Sequence, residues 1–84
     1  MITEKQFITM LGLVIVPQVA ELIARDSKLT EVQALRAFLR SKTYSVLEVE
    51  DSKAWHYSPM ALFAVWKSEQ DTGAPEWPTE GLLA

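Results

Sequence analysis

The sequence predicts an all-α protein, a small bundle of about four helices with an extended C-terminal tail docked on them. Three observations lead there. Apolar residues recur at three- and four-residue spacing through most of the chain. Thr3, Thr30 and Ser58 each stand where a helix cap belongs, directly ahead of such a stretch. Glycine and proline are scarce, three and four among 84 residues, and several of them gather after the last periodic stretch. This length makes one domain, near the lower limit for a self-sufficient core. Nearly half the residues are hydrophobic, a globular composition rather than a disordered one.

The first helix is expected from about Glu4 to Arg25. Thr3 and Gln6 have the spacing of a capping box, which satisfies the free amides of a first turn. Phe7, Leu11, Val14, Ile15, Val19, Leu22 and Ile23 keep helical spacing on both sides of Pro17. Pro17 removes one hydrogen bond and crowds the carbonyl four residues back, so a kink or break is expected near Leu13 to Val16. The β-branched run Val14-Ile15-Val16 could instead form a short strand. Phe7 to Val16 is only about half the roughly 20 residues needed to cross a bilayer, and Pro17, Gln18 and Glu21 interrupt it. Glu4 offsets Lys5 at the start, which does not suit a signal peptide. The segment reads as a buried helix, and no membrane partner is expected.

After the polar turn Asp26-Ser27-Lys28-Leu29, Thr30 opens the second helix with Gln33 as its capping-box partner and Glu31 at the positive dipole end. Val32, Leu35, Phe38 and Leu39 form the expected inward stripe. Glu31, Gln33, Arg36 and Arg40 face water. Ser41 or Thr43 caps a third, shorter helix through about Val49, with Tyr44 and Leu47 inward. Glu48, Glu50 and Asp51 suit the negative end of a helix dipole badly, so the chain turns there. Ser58-Pro59 is a cap followed by proline at the first helical position. That fourth helix runs to about Glu69, with Leu62, Phe63 and Trp66 on one face. Residues 71–84 form the tail, and Trp77 is costly to leave in water, which suggests docking.

Catalytic and metal chemistry find little to work with. There is one histidine and no cysteine, so zinc-type ligation, disulfides and thiolate chemistry lack their residues. No P-loop and no GxGxxG fingerprint occurs. Ser41 beside Lys42 is only a neighbour pair, without the base a nucleophile needs. The Glu48, Glu50, Asp51 cluster lacks the glycine and closing glutamate of a calcium loop. No enzyme activity, cofactor, metal or small-molecule ligand is expected. The charge is also unlike that of a nucleic-acid binder. Residues 1–40 carry a net +1 and residues 41–84 a net −4, without the clustered basic face that phosphate contacts require.

The most unusual stretch runs from Ser41-Lys42-Thr43-Tyr44 to Trp55-His56-Tyr57-Ser58-Pro59. Lys42, Tyr44, Trp55, His56 and Tyr57 are the candidate partner-binding surface, aromatic anchors with a switchable charge at His56. The competing reading makes Trp55 and Tyr57 wedges between helices, with His56 at the rim and Tyr44 half-buried.

Three runs carry a family likeness: Leu29-Thr30-Glu31-x-x-Ala34-Leu35, Phe38-x-x-Ser41-Lys42-Thr43-Tyr44-x-x-Leu47 and Trp55-His56-Tyr57-Ser58-Pro59-x-x-Leu62-Phe63. With the Val16-Pro17 step and the tail Thr72-Gly73, Trp77-Pro78, Glu80, the chain resembles a family of small uncharacterised bacterial proteins. The likeness spans nearly the whole chain. Val49 to Ala54 departs from it, since relatives have a more regular acidic turn with threonine. The resemblance implies an ordered tail, and a place near toxin–antitoxin-like genes with an accessory or antitoxin role.

The expectation is therefore a cytosolic helical module without catalysis that self-associates or binds a protein partner. Burying one large apolar side chain gains roughly 1.5–3 kcal/mol, while ordering each residue costs about 1.5 kcal/mol. A domain this small comes out near balance and gains from cover by a partner. The alternative is a helix-turn-helix regulator using the Thr30–Arg40 helix, with Arg36 and Arg40 on its exposed face.

Overall fold

The computed structural model describes residues 3–49 and 52–77. Among them the chain forms four α-helices and no strand. Helix α1 spans Glu4–Ser27, α2 Glu31–Leu39, α3 Lys42–Leu47 and α4 Pro59–Thr72. A 3₁₀ turn, Ala54–His56, lies between α3 and α4.

The caps form where the sequence places them. Thr3 and Gln6 make the reciprocal capping box of α1, and Thr30 and Gln33 that of α2. Ser41, not Thr43, caps α3 by accepting from the Tyr44 amide at 3.0 Å. Ser58 caps α4 by accepting from the Ala61 amide, with Pro59 at the first helical position.

Pro17 neither breaks α1 nor starts a strand. Residues Leu11–Ile15 form a π turn, in which the Val16 amide donates to the Leu11 carbonyl five residues back. A proline ring crowds the carbonyl of the residue four positions earlier, here Leu13, and a wider turn gives that carbonyl room. The helix continues two residues beyond Arg25 and ends on Lys28 in the left-handed conformation, φ 56°. A glycine-free turn thus closes at the expense of backbone strain on a lysine. Helix α3 is shorter than expected, ending at Leu47 instead of Val49. Helix α4 is longer, running three residues past Glu69 to Thr72 before Gly73 (φ 88°) terminates it.

The core is one cluster built from every helix. Helix α1 contributes Phe7, Leu11, Ile15, Val19 and Ile23, with Val16 and Ala20 beside them. Phe38, Leu47 and Leu62 are completely buried opposite this stripe. By length and composition α1 is also apolar enough to cross a membrane. Of its most apolar stretch 39% is buried in the bundle, while Ile8, Leu13 and Val14 are exposed.

Helix α2 turns differently from its expected orientation. Ala34 and Phe38 are fully buried, whereas Val32, Leu35 and Leu39 are 62%, 37% and 43% exposed. Small side chains explain the rotation. Ala34 on α2 and Ala20 on α1 are both buried, and short side chains let two helix axes come close. Packing through the alanine side turns the bulky aliphatic stripe outward.

The tail starts at Gly73, not at residue 71. Its described part docks, since the Glu76 amide donates to the Ser68 hydroxyl at 2.9 Å. Trp77 packs against Tyr57 with ring centroids 5.9 Å apart. Pro78 to Ala84, with Glu80 and the proline of the expected Trp77-Pro78 step, lie outside the described residues, as do Glu50 and Asp51.

Candidate interaction surface

The structure places the five residues singled out by the sequence on neighbouring elements, Lys42 and Tyr44 on α3, Trp55 and His56 in the 3₁₀ turn, and Tyr57 directly after it. Lys42 is the first residue of α3, and both its polar ends serve the α3–α4 joint. Its amide donates to Glu69 Oε2 at 3.0 Å, and its Nζ donates to the Gly73 carbonyl at 3.0 Å. The Thr43 amide and hydroxyl both donate to Glu69 Oε1, at 2.9 and 2.8 Å. Glu69 therefore closes the amino end of α3 from a different helix, where the dipole favours a carboxylate. Burial alone would raise the Glu69 carboxyl. Hydrogen bonds from Lys42 and Thr43, with the Lys42 charge, outweigh that and hold it below its ordinary value. Lys42 Nζ and Glu69 lie on either side of one corner, and Thr43, completely buried, sits beneath it.

Tyr44 is half-buried and packs edge-on against Phe38 at 5.6 Å. Burial first, then the Glu48 charge, pushes its phenol above its ordinary value. Trp55 stands edge-on to Phe7 of α1 at 5.8 Å and stacks with His56 at 4.0 Å. Tyr57 faces the tail through Trp77. Trp55 and Tyr57 are both partly buried against the core, while His56 is exposed. Lys42 and Tyr44 thus serve the α2–α3–α4 corner, Trp55 the start of α1, and Tyr57 the tail. The aromatic segment works as a set of wedges. Among the described residues, no group of three or more potential metal ligands comes together.

Apolar surface suited to a partner lies elsewhere. Between α1 and α2 runs a groove of about 320 Å³. Val16, Ala20 and Pro17 of α1 and Leu35 of α2 line it, and Glu21 and Glu31 stand at its rim. Val32 and Leu39 extend the Leu35 stripe along α2, one turn to either side. Leu13, 75% exposed, stands about one turn before Pro17 on α1. Isolated exposed aliphatics are ordinary, but a contiguous stripe beside a groove marks a contact surface. The sequence held one signal for it. Ala34 lies four residues before Phe38, and this pair offers an inward face that leaves Val32, Leu35 and Leu39 outside.

No protein-family model, curated protein or solved structure matches the chain.

Proposed function

We propose that the protein is a small cytosolic α-helical interaction module without catalytic activity, which works by binding another protein chain. One observation carries this reading: the aliphatic stripe Val32, Leu35, Leu39 is exposed beside the α1–α2 groove. Full burial of such a side chain is worth roughly 1.5–3 kcal/mol, and the exposed part of each of the three still has its share to gain. A cytosolic place is supported by α1, whose Phe7, Leu11, Ile15, Val19 and Ile23 are used in the bundle core. The likeness to small bacterial proteins adds an accessory or antitoxin-like role beside toxin–antitoxin-type genes.

The same α2 helix is the candidate recognition helix of a DNA-binding regulator. Its exposed surface favours a protein contact instead, because the aliphatic stripe Val32, Leu35 and Leu39 runs beside the polar residues Gln33, Arg36 and Arg40, and a groove-reading helix relies on polar side chains. The test is affinity capture of the full chain from its native host, with the molar mass of the complex measured and Leu35→Glu run in parallel. A stoichiometric protein complex, homomeric or heteromeric, that is lost on Leu35→Glu is the expected result. A chain that stays monomeric and alone, or a complex unaffected by the substitution, contradicts the proposal.

A further inference from the structure

The charges around the exposed stripe point to a definite occupant. With about 3.6 residues per turn, Val32, Leu35 and Leu39 fall on one line along α2. Glu31 flanks that line on one side and Arg36 on the other. Both are exposed, and neither forms an ion pair among the described residues. In heptad terms Val32 and Leu39 take the first seam position and Leu35 the second. The Val32–Leu35 step is the β-branched-then-leucine combination that favours two parallel strands, and Leu39 departs from it. Glu31 and Arg36 then occupy the two flanking positions, five residues apart. A parallel pair of such helices brings these positions together between chains.

We infer that a second copy of this chain docks on α2, with the two α2 helices parallel about a two-fold axis and Glu31 of each copy paired with Arg36 of the other. This rests on the interaction-module reading and deepens it by naming the partner.

The groove agrees with this arrangement. It lies on the Glu31 flank, where its rim carries the carboxylates of Glu21 and Glu31. Arg36 of the second copy arrives on that flank and meets negative charge. Glu21 already holds Arg25 at 2.7 Å, which leaves Glu31 as the free acceptor at the rim. An antiparallel pair would set the acidic flank against itself and the basic flank against itself. The parallel arrangement satisfies both charges twice and covers the aliphatic stripe of both copies. Like every isologous contact, it closes on itself and stops at two.

Sedimentation equilibrium of the full chain tests it, with circular dichroism melts confirming that each variant folds. Wild type rises with concentration from the monomer mass towards twice that mass, and Leu35→Glu remains monomeric. Glu31→Arg alone and Arg36→Glu alone each dissociate at least tenfold more readily than wild type. Mixed one to one, these two variants recover association within about threefold of wild type, because both cross-chain pairs become attractive again. A wild-type chain that is monomeric up to about 1 mM overturns the inference. So does a dimer indifferent to both charge reversals, or a mixture no tighter than either variant alone. A monomeric chain that still captures a different protein in a Leu35-dependent manner overturns the second-copy inference while the interaction-module reading stands.

Discussion

The α3–α4 corner and the α1–α2 face use opposite kinds of residue in opposite ways. The corner holds Ser41, Lys42, Thr43 and Glu69, polar groups that look like chemistry in a sequence. In the fold they are turned on one another. Ser41 donates to the Phe38 carbonyl at 2.6 Å and accepts from Tyr44, while Glu69 takes three hydrogen bonds from Lys42 and Thr43. The α1–α2 face holds valine and leucine, residues that look like core, and leaves them in water. Satisfying buried polar groups consumes their capacity to bind anything else. An unburied aliphatic stripe keeps its whole driving force for a partner. In a small bundle the conspicuous side chains can therefore be internal fittings, and the plain ones the working surface.

The contrast is sharpest between adjacent residues of α2. Phe38→Ala removes a completely buried ring and is expected to cost about 3–5 kcal/mol, enough to unfold much of a domain this size. Leu39→Ala, next to it and 43% exposed, is expected to cost under about 1 kcal/mol in the monomer. Urea unfolding at low protein concentration measures both. Similar costs would mean that α2 is rotated as the hydrophobic pattern alone suggests, and the comparison would break.

The corner itself is tested through Glu69. Glu69→Ala leaves the Lys42 amide and the buried Thr43 groups without their acceptor. About 1–3 kcal/mol is expected, with the lower part favoured because water screens the partly exposed carboxylate. The pH dependence follows in sign. The folded carboxyl sits below its unfolded value, so its stabilisation is fully present above the ordinary glutamate range. It is lost as pH falls through the lower, folded value. Wild type should lose more stability on acidification than Glu69→Ala does, and parallel acid profiles of the two would remove the charge from the account.

The smallest effects separate the aromatic segment into its parts. Trp55→Ala should cost about 1–2 kcal/mol through lost packing on Phe7. His56→Ala, at an exposed residue stacked on Trp55, should leave the thermal midpoint nearly unchanged. Neither should alter the mass of the associated species. A change in assembly on either substitution would return the aromatic segment to the working surface.

The caps were legible in the sequence because their signals are local. Thr3 with Gln6, Thr30 with Gln33, and Ser58 before Pro59 each lie within one turn, and all three form. Pro17 announced a disturbance of α1, and its form as a π turn depended on the helix being held on both sides by the core. Helix boundaries shifted where tertiary contacts intervened. Glu69 closes the start of α3 and Ser68 holds the tail, so α4 runs on to Thr72. The rotation of α2 was the least legible feature. Ala34 wins the inward position by being small, and smallness counts only once α1 is in place against it. Lys42 stands at a helix entry and Tyr44 is half-buried, as one of the two sequence readings has it, while their partners Glu69 and Phe38 are set by the fold.

The central claim is that the working surface is the aliphatic face of α2 and not the aromatic segment before α4. Amide hydrogen exchange at low and high protein concentration tests it most directly. The account predicts protection that grows with concentration in peptides covering Glu31 to Arg40, and none beyond baseline in peptides covering Ala54 to Ser58. Growing protection at Trp55 to Tyr57 with an unchanged α2 would contradict it.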